Sequence, residues 1–163
     1  MRRAAAAAVI AALAAPVAGA ALPAHGLVVP GRSLGGIRLG MTEAQVKRRW
    51  GSSYGVCRGC RLTTWYFNYR PFRPQGAGVA FRHGRVVAVF TLWSPRGWHT
   101  IEGLRIGEDE ARVTALYGAL LRSECGDYAA LAVRKRATLT VFYVVNHKVW
   151  GFGLSRPGIP PCR

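Results

Sequence analysis

The alternation of apolar and polar positions predicts a chain built from short strands and hairpins. The stretch "LTTWYFNY" (62–69) is rich in aromatic and β-branched residues, and prolines close it. The runs "GVAF" and "RVVAVFTLW" flank the turn Arg82-His83-Gly84, and "ATLTVFYVV" and "KVWGFGL" flank Asn146-His147. The run "YAALAV" predicts a further strand. Antiparallel pairing therefore dominates the expected fold.

Two similar phrases predict two short helices. "GIRLGMTEAQVKRRWG" (36–51) and "GLRIGEDEARVTALYG" (103–118) match at most positions, which indicates a tandem duplication. In the first phrase Thr42 is expected as the N-cap, with Gln45 completing a capping box. Asp109 takes the N-cap place in the second phrase. Gly51 and Gly118 stand where the helices end.

These elements predict an α+β fold of two tandem repeats. Each repeat is a short helical segment followed by three to four antiparallel strands, with the helices packed on one face of the sheet. Residues 33–99 form repeat 1 and residues 100–163 form repeat 2. Residues 21–32 are an N-terminal extension. One unit of this size is marginal alone, so the second copy completes the core.

Residues 1–20 have the pattern of a signal peptide. Arg2 and Arg3 precede an alanine-rich apolar stretch that Pro16 interrupts, and Ala18-Gly19-Ala20 supplies small residues for cleavage. The alternative is a retained anchor, which the weak hydrophobicity of alanine disfavours. We expect a secreted or cell-envelope protein with no membrane span in the mature chain.

Four cysteines follow the signal, and an even number outside the cytosol indicates two disulfides. Three pairings are possible; we favour Cys57–Cys60 with Cys125–Cys162, because each then stays within one repeat. A zinc site at C-R-G-C lacks a second ligand pair, and no βαβ pattern supports a thioredoxin-type role. We expect no metal and no cofactor.

The charge is high and unevenly distributed. The chain has 23 Lys and Arg against 7 Asp and Glu, a formal net charge of +16. Six of the seven acids lie between Glu102 and Asp127, and no acid lies between Ala44 and Ile101. This excess favours anionic partners, although a GC-rich genome is an equal explanation for the arginines. Export disfavours nucleic acid.

The first phrase, followed by a hairpin such as "VAFRHGRVVAVF", resembles the β-lactamase inhibitory protein family. It is also similar to the small outer-membrane assembly lipoproteins of the BamE (SmpA/OmlA) type. The resemblance implies helix-turn plus antiparallel sheet, and two tandem copies in the inhibitor. It also implies binding through a concave, aromatic-rich sheet face. The chain lacks the lipid-bearing Cys of the lipoproteins.

Aromatic and basic residues are the candidates for partner binding. Strand alternation places Trp65, Phe67 and Tyr69 on one face, and Trp150 and Phe152 on another row. The loop "YRPFRPQGAG" presents a phenylalanine between two arginines. The alternative is that these aromatic residues fill a shared core. The candidates are Trp65, Tyr69, Phe72, Arg73, Trp93 and Trp150.

The sequence offers little for catalysis. Its four histidines are scattered, and it contains no nucleophile elbow, zinc-protease motif or phosphate loop. We therefore expect a secreted, non-catalytic protein that binds a protein partner through an aromatic and basic sheet face and loop, and an enzyme inhibitor is one form of it. The alternative is a basic envelope protein that binds anionic wall polymers or a membrane surface.

Overall fold

A computed structural model describes residues 21–70 and 75–162, and of Tyr69 and Arg70 it describes only the backbone. The expected signal peptide (1–20) and the candidates Phe72 and Arg73 lie outside the described residues. In chain order the elements are β1 (His25–Val29), β2 (Ser33–Leu34), α1 (Glu43–Trp50), β3 (Gly55–Val56), β4 (Thr63–Arg70), β5 (Gln75–Arg82), β6 (Arg85–Leu92), β7 (Gly97–Thr100), α2 (Glu110–Tyr117), β8 (Leu121–Glu124), β9 (Ala129–Lys135), β10 (Thr138–Val145) and β11 (Lys148–Ser155).

The strands form two sheets. The larger sheet has eight antiparallel strands in the order β3-β4-β5-β6-β11-β10-β9-β8, so β6 and β11 pair at its centre. The predicted hairpins are confirmed: His83-Gly84 joins β5 to β6, and Asn146-His147 joins β10 to β11. All four turn residues have positive φ, as two-residue hairpin turns of this type require.

The smaller sheet has three strands in the order β2-β1-β7. Strand β1 pairs antiparallel with β2 and parallel with β7. Residues 21–32, expected as an extension, therefore supply a central strand. The expected boundaries of the two repeats remain a prediction. Strand β7 runs across the boundary expected between residues 99 and 100.

The predicted α+β fold of two helix-on-sheet repeats is wrong. The part of the chain that the structure describes is mostly β, with 49% strand and 12% helix. Each helix has only eight residues; α1 buries Val46 and Trp50, and α2 buries Val113 alone. Such short helices cannot cover eight strands, and the small sheet adds Val28, Leu34 and Trp98 to the same core.

The main core lies between one face of the large sheet, here called the inner face, and the small sheet with the helices. Trp50 is at its centre. Its ring makes edge contacts with Phe67 of the large sheet at 5.3 Å and with Trp98 of the small sheet at 5.6 Å between centroids. Its indole Nε1 donates a hydrogen bond to the Gly35 carbonyl at 2.9 Å. One side chain thus joins helix α1 to both sheets.

Both edges of the large sheet are short. Strand β3 has two residues and β8 has four. At the β8 edge Arg122 forms an ion pair with Glu124, and at the other edge β4 has a register shift between Phe67 and Arg70. Short, charged and irregular edges discourage pairing with further strands.

The capping box predicted for α1 is confirmed. The Gln45 amide donates to Thr42 Oγ1 at 3.2 Å, and the Thr42 amide donates to Gln45 Oε1 at 2.8 Å. Asp109 is the N-cap of α2, but its side chain makes no capping bond there. Its carboxylate instead accepts from Lys148 Nζ at 2.6 Å.

We expect Thr42→Ala to lower the free energy of unfolding by about 1 kcal/mol, because the first turn of α1 loses its side-chain acceptor. Thr42→Ser keeps the oxygen and is expected to change stability by less than about 0.5 kcal/mol. Urea unfolding of the two variants measures the difference. Equal losses would show that the methyl group matters and the hydrogen bond does not.

Candidate functional site

The face of the large sheet opposite the main core, here called the outer face, is the candidate functional site. Among the described residues, no helix and no second sheet packs over it, and the C-terminal segment contacts it at one end through Ile159. It is nevertheless apolar: Phe90, Leu92 and Tyr143 form a separate cluster with three other buried residues, two alanines and a valine, and half-buried aromatic rings pack against it. An apolar sheet face without a covering layer is typical of an interaction surface.

Glycines explain how these rings are buried without a covering layer. Phe90 lies over Gly78 of the neighbouring strand: a Cβ added to Gly78 would be 2.3 Å from Phe90 Cζ. A Cβ added to Gly153 would be 2.8 Å from the Tyr143 hydroxyl oxygen. Each ring occupies the space that a side chain would take on the next strand. Phe90 is therefore only 2% exposed and Tyr143 is fully buried.

Partly exposed rings stand beside this buried floor. Tyr66 makes an edge contact with Phe90 at 6.0 Å between ring centroids. Tyr128 contacts both Tyr143 and Trp150 at 5.9 Å. Tyr66, Tyr128 and Trp150 are half-buried, so each offers part of a rigid ring to a partner.

The position of Trp150 corrects an expectation from strand alternation. Trp150 and Phe152 were expected in one row, but Phe152 lies in the main core and Trp150 packs on the outer face. The cause is a register shift between Tyr143 and Val144 of the paired strand β10, where Trp150 has no partner. A bulge adds one residue and reverses the alternation.

A groove of about 620 Å³ opens at one end of the outer face. One wall is the C-terminal segment 156–162, here called the strap, and the other is the Cys60–Leu62 loop with the ends of β4 and β5. Tyr66 and Phe90 lie on its floor. Its rim carries the exposed residues Arg61, Arg82 and His83.

Both predicted disulfides are present, and both border this groove. Cys57 is joined to Cys60 and Cys125 to Cys162. Cys60 lines the groove on the loop side, and Cys162 lines it on the strap side. The two bonds are those of a protein that folds outside the reducing cytosol. They restrict both walls of the groove.

A second, smaller groove brings together two of the predicted candidates. Trp93 and Trp150 line an open groove of about 350 Å³ with Gln75, Asn146 and Lys148. Trp93 is half-buried, and the Arg96 guanidinium lies over its ring at 4.0 Å from the centroid. Trp93 and Trp150 together extend the aromatic surface towards the β10–β11 turn.

The remaining candidates lie elsewhere. Trp65 is 4% exposed in the main core, where it stacks on Tyr54 at 4.0 Å with the Lys47 ammonium 5.3 Å from its ring centroid. A partner cannot reach this ring without opening the core. The backbone of Tyr69 is in strand β4, and Phe72 and Arg73 are in the part of the chain that is not described.

Several acidic residues around α2 form ion pairs. Glu110 pairs with Arg122 and His147, and Asp109 pairs with Lys148. Burial, and then a hydrogen bond to Glu102, raises the pKa of the Tyr117 hydroxyl. Among the side chains that the structure describes, in residues 21–68 and 75–162, no basic residue before Arg112 forms an ion pair. No neighbouring carboxylate therefore neutralises the described basic residues of the first half.

Two further findings concern metals and membranes. Within the described ranges, no three His, Cys, Asp or Glu side chains are gathered where they could hold a metal ion. The same ranges contain no helix long and apolar enough to cross a bilayer.

Sequence reasoning did not select Arg61, Tyr66, Arg82, Phe90 or Tyr128. The available signal was the alternation of glycine in "QGAGVA" and "WGFGL". Glycine at every second position of a central strand leaves room on one face for large rings from neighbouring strands. Alternation also places Tyr66 on the opposite face of β4 from Trp65, and in the structure Tyr66 is the one that faces away from the main core.

Fold and site thus define a mostly β, disulfide-bonded protein with an open aromatic face. No model of a known protein family matches the chain, and no curated protein matches it. A crystal structure of an extracellular protein containing an SCP domain, from Bacillus anthracis str. Ames, is similar over 73% of this chain, with a TM-score of 0.52 and 12% identity. The chain spans 44% of that protein, and the likeness shows the fold alone.

A second similar structure is a DUF4309 family protein (YjgB) from Bacillus subtilis subsp. subtilis str. 168. The match covers 71% of this chain and 78% of the B. subtilis protein, with a TM-score of 0.49 and 11% identity. This likeness is too weak to carry an argument. Neither structure is described as a β-lactamase inhibitory protein or an assembly lipoprotein. That resemblance stays a prediction.

Proposed function

We propose that this protein is exported through a signal at residues 1–20 and binds a protein partner, without catalysis, through its outer face. The observation that carries the proposal is the set of half-buried rings, Tyr66, Tyr128 and Trp150, beside a buried aromatic floor. Rigid aromatic rings contribute large contact area at low entropic cost, so they dominate binding at interfaces. The resemblance to inhibitory proteins makes an enzyme one class of partner.

The test is capture of a partner by the immobilised, oxidised protein from the envelope and culture fractions of its own cells, in low and high salt. Tyr128→Ala with Trp150→Ala is expected to weaken capture at least tenfold, because the ring contacts are lost. Leu27→Ala with Ile101→Ala is the control: both side chains are about half exposed, at 45% and 55%, and neither belongs to the outer face. A partner retained equally by both variants would contradict the proposal.

The second candidate is binding of anionic wall polymers or a membrane surface. The absence of ion pairs among the described basic residues before Arg112 favours it. Binding of this kind weakens steeply with salt, because exposed charges are screened. Capture of wall material alone, lost in high salt and insensitive to the Tyr128 and Trp150 changes, would replace protein binding with this function.

A further inference from the structure

The groove beside the strap combines positive charge with an apolar floor. Arg61, Arg82 and His83 are exposed at its rim, and no acidic residue lines it. Neither arginine forms an ion pair within the described part of the chain. Two unpaired guanidinium groups beside one groove suit a ligand with carboxylates, since arginine binds carboxylate with two parallel hydrogen bonds.

The floor of the groove is apolar, so a ligand needs apolar atoms as well as charge. The Tyr66 ring is half-buried, and Phe90 lies against it. On the strap side Ile159 is 4% exposed and packs on Ala80 and Ala88. A ligand that fills this groove therefore places apolar atoms on the floor and anionic groups at the rim.

The walls are held in place before any ligand binds. The Arg156 amide donates to the Val87 carbonyl at 2.9 Å, and the Cys125–Cys162 disulfide ties the other end of the strap. On the opposite wall the Cys57 amide donates to the Thr64 carbonyl at 2.9 Å, and the Cys57–Cys60 disulfide closes the loop. A preformed groove binds with a smaller loss of entropy than a flexible one.

We infer that this groove binds an acidic peptide segment of the protein partner, with carboxylates at Arg61 and Arg82 and an apolar side chain over Tyr66. The inference rests on the proposed function, and it specifies the chemistry of the partner segment that binds. A peptide suits both halves of the groove, because one extended chain can carry acidic and apolar side chains side by side. A wall polymer of phosphates supplies only the charge.

The test uses the oxidised protein and two fluorescein-labelled peptides, EEEYEEE and its uncharged counterpart QQQYQQQ, in anisotropy titrations. We expect the acidic peptide to bind at least tenfold more tightly than the glutamine peptide. Arg61→Gln with Arg82→Gln is expected to weaken it at least tenfold. Arg48→Gln with Arg49→Gln removes the same charge from exposed positions on α1, and is expected to change binding less than twofold.

Three outcomes would overturn the inference: equal affinity for the two peptides, equal losses in the two double variants, or tighter binding of inorganic polyphosphate than of the acidic peptide. Partner capture separates this failure from that of the proposed function. If Tyr128→Ala with Trp150→Ala loses the partner and the Arg61 and Arg82 variant keeps it, the groove assignment fails and the binding face stands. If both variants keep it, both proposals fail.

Discussion

Replacing Trp50 with alanine is expected to lower the free energy of unfolding by about 3–5 kcal/mol, the range for removing a fully buried large aromatic residue. Trp50 is 1% exposed and contacts Phe67 and Trp98, so the cavity would open between helix α1 and both sheets. The Gly35 carbonyl would also lose its donor. Chemical unfolding followed by circular dichroism measures the loss.

Trp150→Ala is the matched control, since it deletes the same side chain from a half-buried site on the outer face. We expect a loss of about 1–2 kcal/mol there, because less apolar surface leaves water on folding. Trp50→Phe removes the indole donor and part of the ring, and is expected to cost about 1–3 kcal/mol, less than Trp50→Ala. If Trp50→Ala cost no more than Trp150→Ala, Trp50 would not be the connection between the layers.

Gly151→Ala is expected to destabilise the protein by about 3 kcal/mol or more, at the upper end of overpacking effects. A Cβ at this position would lie 2.0 Å from the Thr91 carbonyl oxygen and 3.2 Å from Leu92 Cα. Both are backbone atoms of β6, so no side-chain rotation relieves the clash. The central pair β6–β11 would have to separate.

Gly55→Ala is the control for this prediction. Gly55 is also a strand glycine, but no atom outside its chain neighbours lies within 4 Å of the added Cβ. We expect its stability to change by less than about 0.5 kcal/mol. Thermal and urea unfolding of both variants gives the comparison. A loss below 1 kcal/mol for Gly151→Ala would mean that the contact between β6 and β11 is looser than the structure has it.

The local features of the fold were predictable because their causes are local. The turn Asn146-His147 and the Thr42 capping box depend on residues a few positions apart, and both are present. The small sheet was not predictable in this way. Strand β1 pairs with β7, a distant segment, and the fit depends on Trp98, whose ring fills the space over Gly26 and Gly35.

In the candidate site, too, features with local causes were predictable and features that depend on a neighbouring strand were not. Alternation correctly separates Tyr66 from Trp65 on β4, but it fails at Trp150, where the bulge is set by the partner strand β10. Phe90 and Gly78 face each other on the adjacent strands β6 and β5. The register of that pair cannot be read from the sequence of either strand alone. The sequence therefore indicates Trp93 and Trp150 as surface aromatic residues, but it does not single out Tyr66, Phe90 or Tyr128.

The short edges of the large sheet limit the ways in which another chain could join it. A sheet that ends in the two residues of β3 and the charged β8 offers few free backbone groups for another strand to join. The binding that we propose therefore depends on side chains of the outer face. Backbone pairing accepts almost any sequence, whereas aromatic rings and guanidinium groups discriminate among partners. A sheet whose edges resist pairing therefore favours selective binding over binding of chance partners.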